Sequence, residues 1–271
     1  MCIRDSKSFE MLNLEIEYPK KPSKYSQQEW EARVNLAACY RLTDYYGWTS
    51  TVYNHITLRV PDTDTFLING FGLNYNEICA SNLVLVDLDG NKLSDDDFPI
   101  NKAGFIIHSA IHQARPKDLH CVMHSHEVNS QTLAASKSKL IPLTQEGCQL
   151  YERVGYHEFN GIVLNDEEQK KLINAIGKEK HTLLMRNHGL ITAGPTAAWA
   201  FIRHQHFIRN AEVQLKLMAS NAEISIISDN ILKHTREQFE GGSAQAGAKV
   251  RHPEWPAFWR LLDTLDEKWK H

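Results

Sequence analysis

Apolar residues recur at helical spacing over residues 27–46, where Trp30, Val34, Ala37, Ala38 and Leu42 share a face. Ser26 offers an N-terminal cap and Gly47 ends the run. The period then shortens. Residues 51–60 (TVYNHITLRV), 65–70 (TFLING) and 82–88 (NLVLVDL) read as strands, with Pro61-Asp62 and Asp89-Gly90-Asn91 as turns. Connections this short predict an antiparallel meander. A helix over 103–114 ends at Arg115-Pro116, and a strand over 119–126 (LHCVMHSH) runs into a helix near 127–136. Residues 160–164 suggest another strand. Asp166 caps a helix over 167–177 that Gly177 closes, 181–186 (HTLLMR) is a strand, and a long helix covers about 196–219. The Gly/Ala/Ser-rich residues 240–247 read as a loop or tether, and the amphipathic tail as a short terminal helix. No internal repeat or domain boundary interrupts the pattern. Strands among flanking helices predict a layered α/β/α domain. Its expected limits are 26–225, with an N-terminal extension over 1–25 and a C-terminal extension over 226–271.

Composition narrows the function classes. The chain of 271 residues is 42% hydrophobic and 23% charged, with a formal charge of −3, which is ordinary globular usage. No basic block supplies the electrostatic footprint of a nucleic-acid binder, and no apolar run is long enough to span a bilayer. Residues 1–24 lack the apolar core of a secretory signal, and Met11 is a candidate start that would leave 1–10 as an appendage. The five cysteines, Cys2, Cys39, Cys79, Cys121 and Cys148, form no CxxC pair. An odd, unpaired set points to a reducing cytoplasm and to cysteines used as small packing residues.

Histidine is the unusual component, at 14 residues. His124 and His126 stand two apart at the end of a predicted strand, so their imidazoles face one side and can converge on one ion. Spacing alone leaves surface or hydrogen-bonded histidines as the other reading. His188, between the strand 181–186 and Gly189, is the best candidate for the third ligand that a catalytic site needs. His108 and His112 lie one turn apart on a predicted helix, so one is expected to line a pocket and the other to pack. His204 and His206 cannot share a helix face and read as structural.

The run IHSAIHQARPKDLHCVMHSH, the later RNHGL, the strand YNHITLRV and the segment FGLNYNEICASNLVLVDLDGN resemble the class II aldolase/adducin family. The resemblance extends from about Trp30 to Ala219 and is strongest to the adducin head. It implies a central, mainly antiparallel β-sheet with helices on both faces. It also implies one divalent metal on His124, His126 and His188, with zinc the first expectation and Fe(II) or Mn the alternatives. The family further suggests a homotetramer whose C-terminal segments complete a neighbour's site, a place for the aromatic tail Trp255 to Trp269.

Two departures separate the chain from the sugar-phosphate aldolases that it resembles. Alignment on His108 and Arg115-Pro116 puts Gly104 where those enzymes carry an acid/base glutamate. Tyr53, Phe71, Lys102 and Ala103 stand where they carry small phosphate-binding residues, while Asn54 and Gly72 remain. Tyr53 and Phe71 would fill a phosphate cradle, and a substrate carboxylate paired with Lys102 fits better. Glu146, in a predicted turn, and His108 are the candidates for the missing acid/base, and the Tyr156-His157 pair is a further polar feature. These features point to a lyase acting on a small oxo- or hydroxy-carboxylate. An Fe(II) oxygenase, as known among relatives, and a non-catalytic binding module like adducin are the alternatives.

Overall fold

The computed structural model describes residues 16–161, 166–245 and 254–271. Helix α1 (Gln27–Tyr45) starts where the Ser26 hydroxyl accepts the Glu29 N–H at 3.1 Å, satisfying one of the donors a helix start leaves over. The expected meander follows as β1 (His55–Arg59), β2 (Thr65–Asn69) and β3 (Leu83–Asp87). After it come α2 (Lys102–Ala114), β4 (Cys121–Ser125), α3 (Val128–Ala135), β5 (Val154–His157) and α4 (Asp166–Ile176). The chain continues through β6 (Thr182–Met185), β7 (Gly189–Gly194), α5 (Ala197–Ser220), α6 (Asp229–Gln245) and α7 (Trp255–Asp263).

One seven-stranded sheet results, in the order β3-β2-β1-β4-β7-β6-β5. Only β5 and β6 pair in parallel, so the mainly antiparallel layered α/β expectation holds. Strand alternation sorts the two faces. Ile56, Leu67, Met123, Leu184 and Leu190 join Val34 and Phe201 of α1 and α5 in one core. Val122, Leu183 and Ile191 meet Ile107 and Ile111 of α2 and Leu172 of α4 on the other face. Central β4 places His124 opposite His55 of β1 and Ser125 opposite Leu190 of β7. The β6–β7 turn reaches the same end of the sheet.

Several elements differ from the sequence reading. Two strands, β5 and β7, were not expected, and both complete the sheet beside β6. Of the strand expected over 160–164, Asn160 and Gly161 are irregular and 162–164 lie outside the described residues. The tether expected over 240–247 is helical through Gln245, as the end of α6, with the last two positions outside the described residues. Tertiary contacts override its glycines: Leu232 is buried, Arg236 donates to the Tyr151 carbonyl and pairs with Glu152, and Arg153 pairs with Glu240. The tail also differs from its expected place on a neighbouring subunit. Trp255, Trp259 and Trp269 are buried in the core of their own chain, and the Trp255 indole donates to Asn35 of α1 at 2.8 Å. Cys39, Cys121 and Cys148 are buried and Cys79 half-buried, all as free thiols, and Cys2 lies outside the described residues. Among those residues, no helix is long and apolar enough to cross a membrane.

His204 and His206 are structural, as expected. Thr192 donates its hydroxyl to the Ala200 carbonyl, so its oxygen accepts His204 Nδ1–H at 2.9 Å, and His204 Nε2 accepts from Ser125 at 2.6 Å. Burial pushes His204 and His112 down to about 3 and His206 to about 4, from 6.5. Between those values and 6.5 the unfolded chain binds more protons than the folded one, so acid favours unfolding. Urea stability is expected to be level with respect to these groups above pH 6.5 and to fall below it. Each such histidine contributes up to about 1.4 kcal/mol per pH unit. Equal urea midpoints at about pH 7 and pH 5 would contradict this account.

Candidate metal centre

His124 is the one histidine inside β4, and the backbone has already settled which of its nitrogens is free. Its Nδ1 lies 3.0 Å from the Leu190 carbonyl, which only accepts, so Nδ1 carries the hydrogen and Nε2 a lone pair. That Nε2 stands 2.9 Å from His126 Nε2. His188 closes the group, and one ligand atom from each ring lies within 4.8 Å of the others. Burial, with the neighbouring imidazoles adding to it, lowers His188 to about 4 and His124 well below 6.5, and burial also lowers His126. Three neutral imidazoles converging on a point suit a divalent ion of the zinc type, where each nitrogen sits about 2.0–2.1 Å from the metal.

The turn that delivers His188 is built by its two neighbours. Asn187 takes a positive φ of 56°, a conformation asparagine tolerates better than most residues. Its N–H donates to the Ala134 carbonyl, and Gln131 donates to the His188 carbonyl at 3.0 Å. Gly189 permits the close approach. A Cβ there would meet the Ser125 carbonyl and come within 2.9 Å of His126 Cδ2 and 3.2 Å of His124 Cε1.

A fourth imidazole, missed in the sequence reading, lies beside the three. His55 is the cross-strand partner of His124, with ring centroids 5.0 Å apart. Its Nδ1 is 2.9 Å from His108 Nε2. Behind it, Thr57 Oγ1 lies 2.8 Å from both His108 Nδ1 and His112 Nε2, and His112 Nδ1 lies 3.0 Å from the Leu119 carbonyl. The available signal was the period of two in His55-x-Thr57, which places both side chains on the face toward α2. His108 therefore stands one residue behind the centre, and His112 two contacts deeper, rather than one of them lining it.

The other sequence candidates separate. Asn54 is buried, and its Oδ1 accepts the Ser50 N–H while its Nδ2 has no partner among the described residues. Such an orphaned donor is costly unless a ligand meets it. Lys102 is exposed at the first position of α2, two residues before Gly104. Tyr53 is 60% exposed, with its ring 6.4 Å from that of half-buried Phe71, and Gly72 is exposed with φ 104°. Glu146 goes elsewhere: it begins a 3-10 turn (Glu146–Leu150) packed toward α5, where its charge acts on His206 and Glu254. His157 lies 3.6 Å from Glu168, a contact with α4.

Residues 34–215 match the model of the Class II Aldolase and Adducin N-terminal domain. The chain belongs to this class II aldolase/adducin family. Over 238 residues it is 39% identical to a Pseudomonas aeruginosa protein named "Putative aldolase class 2 protein PA3430", covering 88% of this chain and 91% of that protein. The crystal structure of an aldolase II superfamily protein from Pseudomonas syringae superposes with a TM-score of 0.82 at 36% identity, covering 91% of this chain and 98% of that one. L-fuculose 1-phosphate aldolase from Glaciozyma antarctica superposes with a TM-score of 0.76 at 25% identity, covering 93% and 97%.

Gly104 gives the site its first test. A Cβ there would lie 2.5 Å from His55 Nε2 and 2.7 Å from its Cγ. The ring cannot yield cheaply, because His108 holds it from behind. Gly104→Ala improves helix propensity by roughly 1 kcal/mol, yet overpacking costs typically about 1–3 kcal/mol. The variant is expected to melt below the wild type by calorimetry, and an unchanged or raised Tm would show that the ring is free to move.

Proposed function

We propose that this protein is a metal-dependent enzyme of the class II aldolase family acting on a small oxo- or hydroxy-carboxylate, by aldol-type cleavage or decarboxylation. The observation that carries the reading is the pair of ring nitrogens 2.9 Å apart, with His124 Nε2 left as a lone pair by the Leu190 carbonyl. His124, His126 and His188 would hold the ion, zinc first, with Fe(II) or Mn as alternatives. A divalent ion bound there supplies Lewis-acid polarisation of a substrate oxygen. The chain's own groups bind and orient. The unpartnered Asn54 Nδ2 offers a buried donor to a substrate oxygen, and Lys102 supplies a cation for a carboxylate. Tyr53, Phe71 and Gly72 would border the substrate, and two aromatic rings suit a small acid better than a phosphate cradle does. Gly104 brings no carboxylate to this edge.

The reading includes self-association, with the site near a subunit boundary. Tyr53, Val128 and Phe159 are exposed at the same sheet end as the three histidines, and exposed apolar groups gathered at one end suit a partner surface. The four cysteines among the described residues are free thiols, which accords with a reducing cytoplasm.

A second reading, an Fe(II) oxygenase, is favoured by the donor group itself, which among the described residues contains three histidines and no carboxylate. Metal analysis separates the two. Zinc at one per chain is expected, and His188→Ala is expected to lose most of it. Iron with substrate-dependent O₂ uptake would support the oxygenase. Retention of full metal by His188→Ala would overturn the ligand set, and absence of metal affinity would favour an adducin-like binding module. Cleavage of ketose phosphates by the wild type is expected to be weak. Proton transfer by a positioned side chain is typically worth about 10²–10⁴ in rate, and position 104 has no such group. Robust turnover of fuculose 1-phosphate in a coupled assay would defeat the carboxylate assignment.

A further inference from the structure

The four-residue chain behind the metal centre has a direction that its end point dictates. The Leu119 carbonyl can only accept, so His112 Nδ1 carries the hydrogen. His112 is buried and neutral, held down to about 3 by desolvation, so its Nε2 accepts. Thr57 must then donate its single O–H to His112, and its oxygen accepts from His108 Nδ1–H. Neutral, fully buried His108 is left with an accepting Nε2, and His55 Nδ1–H donates to it. Each link therefore requires the Nδ1–H tautomer, and the last consequence falls on His55. Its Nε2 is an acceptor.

Among the described residues the side-chain hydrogen bond of His55 is the one its Nδ1 makes to His108, and the residue is only 4% exposed. The ring is pinned between Gly104 on α2 and the cross-strand His124. It also falls outside the three-membered group whose ligand atoms all lie within 4.8 Å of one another. Its placement suits contact with whatever the centre binds rather than membership of the ligand set. A neutral imidazole that can only accept is satisfied by a ligand that brings a donor.

We propose that His55 is a substrate-binding residue that accepts a hydrogen bond from a substrate hydroxyl through Nε2, with His108, Thr57 and His112 as the positioning residues that fix its tautomer. The substrate class narrows accordingly, from oxo- or hydroxy-acids to hydroxycarboxylates. The proposal rests on the metal-centre reading above for the location of that ligand.

Two measurements test it. Nitrogen-15 correlation spectra of protein labelled on histidine report which ring nitrogen carries the hydrogen, and they need no metal. His55, His108 and His112 are expected as Nδ1–H in the wild type and in Thr57→Ser; in Thr57→Val the pattern is lost at His108 and His55, while His112 keeps its Nδ1–H on the Leu119 carbonyl. A hydrogen on His55 Nε2 in the wild type would overturn the proposal. The second measurement titrates the Co(II)-loaded protein with glycolate, which carries a hydroxyl donor, and with oxalate, which carries none, following the visible spectrum. Thr57→Val is expected to weaken glycolate by about 3- to 10-fold, the worth of one hydrogen bond, with oxalate within about twofold and Thr57→Ser like the wild type. Equal losses for both probes, no loss for either, or no glycolate binding by the wild type would each overturn it. Failure of the wild type to take up Co(II) would count instead against the metal centre, and the nitrogen-15 pattern would still decide whether His55 is an acceptor.

Discussion

Much of the candidate site depends on how closely β7 lies beside β4 at its histidine end. The Leu190 carbonyl must sit 3.0 Å from His124 Nδ1 to select the tautomer of the first candidate ligand. The same approach brings the β6–β7 turn, and so His188, up to the other two rings. Gly189 is what makes it sterically available, since any side chain there would press on the Ser125 carbonyl and on the rings of His124 and His126. Sheet register supplies the rest: His124 pairs with Ile191 on one side and with His55 on the other. A slip of one residue would turn the imidazoles to the opposite face.

The layered fold was legible because its signals were local and redundant. Helix α1 had an apolar stripe, a serine cap and a terminal glycine, and the meander had period two and turn residues. The elements missed lacked such signals. In β7, GLITAG contains two glycines and is buried along its length, so it shows no alternation of apolar and polar residues. In α6, two adjacent glycines argued against the helix that Arg236, Leu232 and Glu240 stabilise through contacts distant in sequence. The aromatic tail was correctly read as apolar and helical, but periodicity cannot say whether such a stripe finds its own chain or another.

The site divides in the same way. His124 and His126 could be paired from strand geometry, and His188 became credible through its place before Gly189. His55 could not be singled out, because one histidine in a strand gives no sign of its partner, and the partner, His108, arrives from a helix 53 residues away. Glu146 illustrates the reverse error. A carboxylate in a predicted turn is free to be assigned anywhere, and packing places it with His206 on the α5 side.

The polar chain between β1 and α2 is the part of the interior that fold stability explains least. Along the rest of α2 the interface is ordinary: Ile107 and Ile111 meet Val122, Leu172 and Ile176. One position further along the helix, His108 and His112 are equally buried, yet they meet Thr57 and His55. A hydrogen-bonded buried group returns only about 0.5–1.5 kcal/mol net, whereas leaving one unpaired costs about 1–3 kcal/mol. Apolar side chains of similar shape would hold α2 to the sheet with less at risk. The network also ends in a defined way, at a backbone carbonyl on one side and at the His55 ring beside the candidate ligand cluster on the other. A device for stability alone has no need of that second end. A chain of fixed tautomers that delivers an acceptor to the centre does, and this difference links the polar half of α2 to chemistry and its apolar half to the fold.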